Sequence, residues 1–188
     1  MYRFLLILLP VVGMATATGA QQRQDMNKGG SDHKILVAYF SATGTTARAA
    51  KKLANVTGGE LYAIVSAQPY TSADLDWNDK RSRSSVEMND PKSRPAIKGR
   101  KENIADYDVI FIGYPIWWDL APRIINTFIE SHDLKAKQSS RSPHPEAARS
   151  RAARRREENY PALNWREGRL LNRADEKSIR NWVDNCKL

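Results

Sequence analysis

Apolar runs with the composition of buried strands alternate along this chain with segments of helical periodicity. The predicted elements are strands at 34–40, 60–65 and 108–113, a short last strand at 168–172, and helices at 45–56, 121–131 and 174–185. The runs at 34–40 and 108–113 are β-branched and aromatic, as in strands that are buried on both faces. This alternation predicts an α/β fold of three layers, a doubly wound parallel sheet with helices on both faces.

The turn after the first strand is rich in hydroxyl groups. A helix that begins there directs unpaired N–H groups and the positive end of its dipole at the turn, and the hydroxyls can donate to phosphate oxygens. Gly44 allows a close approach of the backbone to a ligand. The alternative is a helix cap, because Ser and Thr cap helices without any ligand. The candidate phosphate-binding residues are Ser41, Ala42, Thr43, Gly44, Thr45 and Thr46.

The turn after the strand at 108–113 is aromatic. It follows the carboxyl end of a parallel strand, where open α/β sheets bind their ligands, and aromatic side chains there suit a flat ring. The alternative is that these side chains belong to the core or to a partner surface. The candidate ring-binding residues are Tyr114, Pro115, Ile116, Trp117 and Trp118.

These two turns together resemble those of the flavodoxin family, and in particular its short bacterial members. The resemblance covers residues 33–137 and 160–186, including the long connection at 69–97. It implies a flavodoxin-like fold that binds FMN, with the phosphate in the first turn and the isoalloxazine ring against the second. It also implies electron transfer to a redox partner protein or a small electron acceptor. The cofactor would carry the reaction, so no catalytic acid, base or nucleophile is required.

Two other functions share these motifs. An FMN-dependent reductase of quinones or similar small acceptors would need the same turns, and turnover of a quinone with a nicotinamide donor would distinguish it from an electron carrier. An inactive flavodoxin relative that no longer holds FMN is the other alternative, and it rests on residues 138–159.

Residues 138–159 depart from the family pattern, which has here a fourth buried strand and a Gly/Ser-rich turn beside the flavin. The segment has no apolar residue larger than Ala or Pro, so it predicts a missing or disrupted fourth strand and a disordered basic insert. Permitted codons for 138–153, read from the third base, encode VIPFATSGGSAIARS, a strand and a flavodoxin-like turn. We hypothesise a frameshifted segment that returns to frame near Tyr160, and incompatible codons in the gene would refute this.

The same segment explains much of the formal charge of +9 on the 188 residues. Residues 137–158 hold seven basic and three acidic side chains, which is +4 of that total. A basic run can indicate a patch that binds nucleic acid or an acidic membrane, but no aromatic residues interleave these arginines, and a solvated loop is the preferred interpretation. We expect no nucleic-acid partner.

The first twenty residues have the pattern of a secretory signal peptide. Arg3 precedes the apolar run 4–12, and small residues follow as far as Ala20. An uncleaved membrane anchor is the competing interpretation, although the run is short for a span. We therefore predict a signal peptide at 1–20, a flexible leader at 21–32 and a flavodoxin-like domain at 33–188. The product would be exported to the periplasm, without a stable membrane anchor after cleavage.

Other residues that could carry chemistry give weaker signals. Cys186 is the single cysteine, so no intrachain disulfide can form. The three histidines, His33, His132 and His144, have no second ligand at metal spacing, and we expect no metal site. Asp119 lies at the start of a predicted helix and is predicted to act as its N-terminal cap or dipole partner rather than in a redox role, while Arg123 is predicted to face solvent.

Overall fold

The computed structural model describes residues 3–10, 33–134, 159–166 and 168–186. The elements in chain order are β1 (Arg3–Pro10), β2 (Ile35–Tyr39), α1 (Thr45–Thr57), β3 (Glu60–Ala63), β4 (Val65–Ser66), α2 (Arg83–Asn89), β5 (Ile97–Lys98), a 3-10 turn (Ile104–Asp106), β6 (Val109–Ile116), α3 (Arg123–Ser131) and α4 (Glu176–Asn185). The strands and helices predicted between residues 34 and 131 are confirmed, with small shifts at their ends.

The main sheet places β2 at its centre, between β6 and β3, and both pairings are parallel. Tyr39 at the end of β2 lies opposite Gly113 on one side and Ala63 on the other. The chain therefore winds outward from β2 in both directions. In sheets of this kind the ligand site lies at the carboxyl ends of the two strands where the winding reverses, which here are β2 and β6.

Apolar side chains pack on both faces of this sheet. Alternate residues of β2 serve the two sides: Ile35 and Val37 pack with α1 and α4, whereas Leu36 and Ala38 pack with α3. A strand covered on both faces needs apolar residues at successive positions, which is why β2 and β6 have no polar face. The predicted α/β fold with helices on both faces is thus confirmed.

The strand β1 pairs antiparallel with the outer edge of β6, with Arg3 opposite Ile116 and Pro10 opposite Val109. The sheet order is β1-β6-β2-β3, so one of the four strands runs against the other three. The sequence pattern predicted a signal peptide at 1–20 and a missing or disrupted fourth strand. In the structure, residues 3–10 form β1 beside β6, while residues 138–158 of the basic segment lie outside the described residues.

Two further differences concern irregular parts of the chain. The strand predicted at 168–172 is reduced to a single β-bridge residue, Arg169, and Leu171 is buried beside Ile179 and Trp182 of α4. The connection at 69–97 contains α2 and ends at β5, which pairs antiparallel with β4; neither α2 nor β5 was predicted.

The chain rejoins the core after the basic segment. Tyr160, Leu163 and Trp165 pack against the core on the side of α3. Within the described ranges, no helix combines the length and apolar character that crossing a bilayer requires.

Candidate functional site

The two predicted turns lie side by side because they leave neighbouring parallel strands. The N–H of Phe40, the residue after β2, donates to the carbonyl oxygen of Gly113 at 2.8 Å. The ring of Phe40 also meets the indole of Trp117 edge to face, with 5.8 Å between centroids. The hydroxyl-rich turn and the aromatic turn therefore form one surface at the carboxyl end of the sheet.

The hydroxyl-rich turn at 41–46 leads into α1 without a side-chain cap. The residue at the cap position is Gly44, with φ of +82°, and no side chain at this position caps the N–H groups of the helix. A left-handed backbone of this kind suits glycine. The alternative that Ser and Thr hydroxyls cap this helix is therefore wrong. The N–H groups of the first helical turn remain directed at the space in front of it.

One hydroxyl of this turn is buried without a partner. Among the described residues, the Ser41 Oγ is one of two buried side-chain polar atoms that make no hydrogen bond. A buried polar atom without a partner costs about 1–3 kcal/mol, and such atoms are scarce in folded proteins. A ligand oxygen in the turn would remove this cost. Of the other hydroxyls, Thr46 is buried and Thr43 is exposed.

A positive charge lies at the same turn. Arg48 is on the first turn of α1, and its guanidinium donates to the Thr45 Oγ1 at 3.2 Å. A Cβ added to Gly44 would lie 3.7 Å from the Arg48 Nη1, so the guanidinium covers the glycine. The first turn of α1 holds no acidic residue. Arginine, helix dipole and hydroxyls together make this turn suitable for an anion.

The aromatic turn has an unusual backbone. Trp117 and Leu120 exchange two backbone hydrogen bonds, at 2.9 and 2.8 Å, and so close a two-residue turn. The residues between them, Trp118 and Asp119, have φ of +46° and +60°. Both central residues of a type I′ turn need this left-handed conformation, which glycine and asparagine adopt most easily. A tryptophan held there is strained, and such strain occurs most often at functional sites.

The aromatic candidates divide into buried and exposed residues. Tyr114, Pro115 and Trp117 are buried, and Ile116 is partly buried. For Tyr114 and Trp117, the alternative of core packing therefore applies. Trp118 is 48% exposed. It is the aromatic side chain of this turn whose ring is open to a ligand.

Two predictions for the residues that follow are wrong. Asp119 does not cap α3; it lies inside the turn, and the cap position of α3 is Pro122, which has no side-chain bond to the helix. Arg123 does not face solvent, because its guanidinium donates to the Met88 carbonyl oxygen at 2.8 Å. These contacts tie the start of α3 to the end of α2.

The connection at 69–97 contributes a third ring to the site. Tyr70 meets Phe40 and Trp117 edge to face, with centroid distances of 5.7 and 5.6 Å. Its hydroxyl donates to the Glu87 Oε2 at 2.6 Å, and the Arg83 guanidinium lies 4.0 Å from the ring centroid. Burial and the bond to Glu87 raise the pKa of Tyr70, so it remains a donor.

Comparison with known proteins places this site in a family. The flavodoxin family matches residues 34–186, which is most of the chain. The chain belongs to the flavodoxin family. A protein of Bacteroides eggerthii DSM 20697, described as a "putative flavoprotein", is 64% identical, with a TM-score of 0.74 over 84% of this chain and 99% of that one.

A second flavodoxin-like structure is also similar. It comes from Bacteroides uniformis ATCC 8492, carries the same description and is 50% identical, with a TM-score of 0.69 over 84% of this chain and 99% of the other. Among curated proteins, none matches the chain. The family assignment predicted from the two turns is confirmed, and it makes a flavin the cofactor to test against the site.

The residues of this flavodoxin fit a flavin that carries a phosphate. Ser41 offers a buried hydroxyl without a partner, α1 offers uncapped N–H groups, and Arg48 offers a positive charge. On the other side of the same surface, Trp118 offers an open ring. An anion would be held in the first turn and an aromatic ring system beside the second.

The histidines of the described ranges lie away from this site. His132 is buried on the side of α3, where its Nε2 accepts from the Lys101 N–H at 2.9 Å and its Nδ1 donates to the Phe128 carbonyl oxygen at 2.7 Å. Burial lowers its pKa. His144 lies outside the described residues. Across the described ranges, no cluster of three or more His, Cys, Asp or Glu side chains could hold a metal ion.

Sequence analysis missed Arg48, Tyr70 and Phe40. Arg48 could have been found, because a residue four positions after Gly44 lies on the first turn of the helix. Phe40 was included in the first strand but not assigned to the site. Tyr70 and Glu87 are 17 residues apart in an irregular connection, and no periodic pattern relates them.

Proposed function

We propose that this protein binds FMN through the two turns and acts as an electron carrier. The observation that carries the proposal is the buried Ser41 hydroxyl, which makes no hydrogen bond in the described chain and lies beside an uncapped helix. A phosphate monoester has the oxygens to accept from the hydroxyl, from the N–H groups of α1 and from Arg48. Riboflavin has the same ring but no such group.

The protein residues would bind and orient the cofactor. The first turn holds the phosphate, and the exposed ring of Trp118 covers part of the isoalloxazine and shields it from water. Bound FMN supplies the transfer of one or two electrons to a redox partner protein or a small acceptor. Because FMN carries the electron transfer, the protein needs no catalytic acid or base.

The sequence pattern of residues 1–20 supports export to the periplasm as part of this proposal. The charged start, apolar run and small residues are those of a secretory signal. The redox partner would then be a protein or small molecule of that compartment.

The test compares FMN with riboflavin on the full chain, on a chain that begins at Gln21, and on two variants. Ser41→Ala removes the hydroxyl in the first turn. A hydrogen bond to a charged group contributes about 1.5–3 kcal/mol, so we expect FMN to bind roughly 10- to 100-fold more weakly, with little change for riboflavin. Equilibrium dialysis followed by the flavin absorbance measures both.

Thr127→Val is the matched control. Among the described residues, the Thr127 Oγ1 is the second buried hydroxyl without a hydrogen bond, and it lies on α3 rather than in the turn. We expect this variant to bind FMN as the wild type does. If the wild type retains no FMN, the proposed function is wrong and the inactive relative is favoured. Steady turnover of a quinone with a nicotinamide donor would favour the reductase instead.

A further inference from the structure

Three aromatic rings pack against one another beneath the aromatic turn. Phe40, Tyr70 and Trp117 form all three pairs edge to face, with centroids 5.6–5.8 Å apart. Phe40 and Trp117 are buried, and Tyr70 is partly buried. Trp117 directly precedes Trp118, so whatever fixes the indole of Trp117 also fixes one end of the strained turn.

Tyr70 also contacts two charged side chains, Glu87 and Arg83. Glu87 accepts from its hydroxyl at 2.6 Å and from the Arg83 Nε at 2.6 Å, while the Arg83 guanidinium covers the ring. Arg83 also donates to the carbonyl oxygen of Gln68 at 2.9 Å. The Arg83 and Glu87 side chains are only 22% and 11% exposed. Removing one partner of such a pair would leave the other charge poorly solvated, so the two side chains hold each other in place.

We propose that Tyr70 is a positioning residue of the flavin site, clamped by Glu87 and Arg83, which fixes Trp117 and thereby the turn that presents Trp118. A tryptophan at positive φ persists only where its surroundings leave it no alternative. The closing bonds of the turn join Trp117 to Leu120, and the rings of Phe40 and Tyr70 hold Trp117. The inference rests on the proposed function, since it concerns how Trp118 meets the flavin.

The test uses Tyr70→Leu and Tyr70→Phe. Leucine removes two ring pairs, each worth about 0.5–1.5 kcal/mol, so we expect FMN affinity to fall roughly tenfold. At saturating FMN we also expect the flavin fluorescence to be less quenched and the midpoint potential to shift. Phenylalanine keeps the ring pairs and loses the bond to Glu87, so its effects should be smaller. In the apoprotein, near-ultraviolet circular dichroism should lose tryptophan signal in the leucine variant.

Tyr62→Leu is the matched control. Tyr62 is a half-buried residue of β3 whose ring meets Phe128 at 6.1 Å, away from the turn. We expect it to lower stability while leaving bound flavin and the tryptophan signal unchanged. Equal flavin signals in Tyr70→Leu and wild type, or equal changes in Tyr70→Leu and Tyr62→Leu, would overturn the inference.

The two proposals fail in different ways. A wild type that binds no flavin removes the proposed function, and the flavin site of the inference with it. A wild type that binds FMN while Tyr70→Leu behaves like it removes the inference alone. The circular dichroism of the apoprotein shows in either case whether Tyr70 fixes Trp117.

Discussion

The turn that presents Trp118 allows a direct measurement of backbone strain. Asp119 is exposed and has φ of +60°, so substitutions there change the backbone more than the packing. At ordinary φ, alanine is more stabilising than glycine by about 0.4–1 kcal/mol, because it restricts the unfolded chain. In the left-handed region a Cβ costs about 1–2 kcal/mol. We therefore expect Asp119→Gly to be more stable than Asp119→Ala by about 1 kcal/mol.

The assay is equilibrium unfolding in urea, followed by far-ultraviolet circular dichroism and tryptophan fluorescence. Asp184 provides a reference pair, since it is exposed in the helix α4. There Asp184→Ala should be more stable than Asp184→Gly by about 1 kcal/mol, the opposite order. Equal m-values across the four variants would show that the unfolded states are comparable. If Asp119→Ala proves at least as stable as Asp119→Gly, the left-handed turn and the strain argument are both refuted.

Two further predictions concern the rest of the domain. Burial lowers the pKa of His132 below its ordinary value of 6.5, so below that pH the unfolded chain binds a proton that the folded chain does not. The free energy of unfolding should therefore fall on acidification, by at most about 1.4 kcal/mol per pH unit. In urea unfolding between pH 5 and 7, the stability of His132→Gln should depend less on pH than that of the wild type. An unchanged slope in this variant would contradict the prediction. A chain that begins at Gln21 lacks β1, so amide hydrogens of β6 should exchange faster in it than in the full chain, and equal exchange would show that β1 does not protect β6.

The fold was predictable where local pattern and burial agree. β2 and β6 are continuous apolar runs because helices cover both faces of the sheet, and α1 has a clear apolar stripe. The two turns could be paired from sequence, because the carboxyl ends of neighbouring parallel strands lie at one edge. β1 was not predicted as a strand, since an apolar run that follows a charged residue is equally a signal peptide.

The site was less predictable, because its details depend on tertiary contacts. Hydroxyl groups at a helix start usually indicate a cap, yet Gly44 takes that position and Ser41 is left without a partner in the described chain. The left-handed turn at Trp118 has neither glycine nor asparagine to signal it. Asp119 had the position of a helix cap in sequence, but the helix begins four residues later.

The segment at 138–159 departs from the family pattern beside the flavin, but the described contacts between the two turns come earlier in the chain. The contacts that join the hydroxyl-rich turn to the aromatic turn run between β2 and β6 and through Tyr70, all before residue 120. None of them requires the fourth strand. Loss of the Gly/Ser-rich turn that the family has after its fourth strand would remove contacts on one side of the flavin. The hydroxyl-rich turn and Trp118 would still be in place. FMN should bind more weakly than in a complete site but still more tightly than riboflavin. The ratio of the FMN and riboflavin affinities therefore tests the hydroxyl-rich turn independently of the segment that departs from the family.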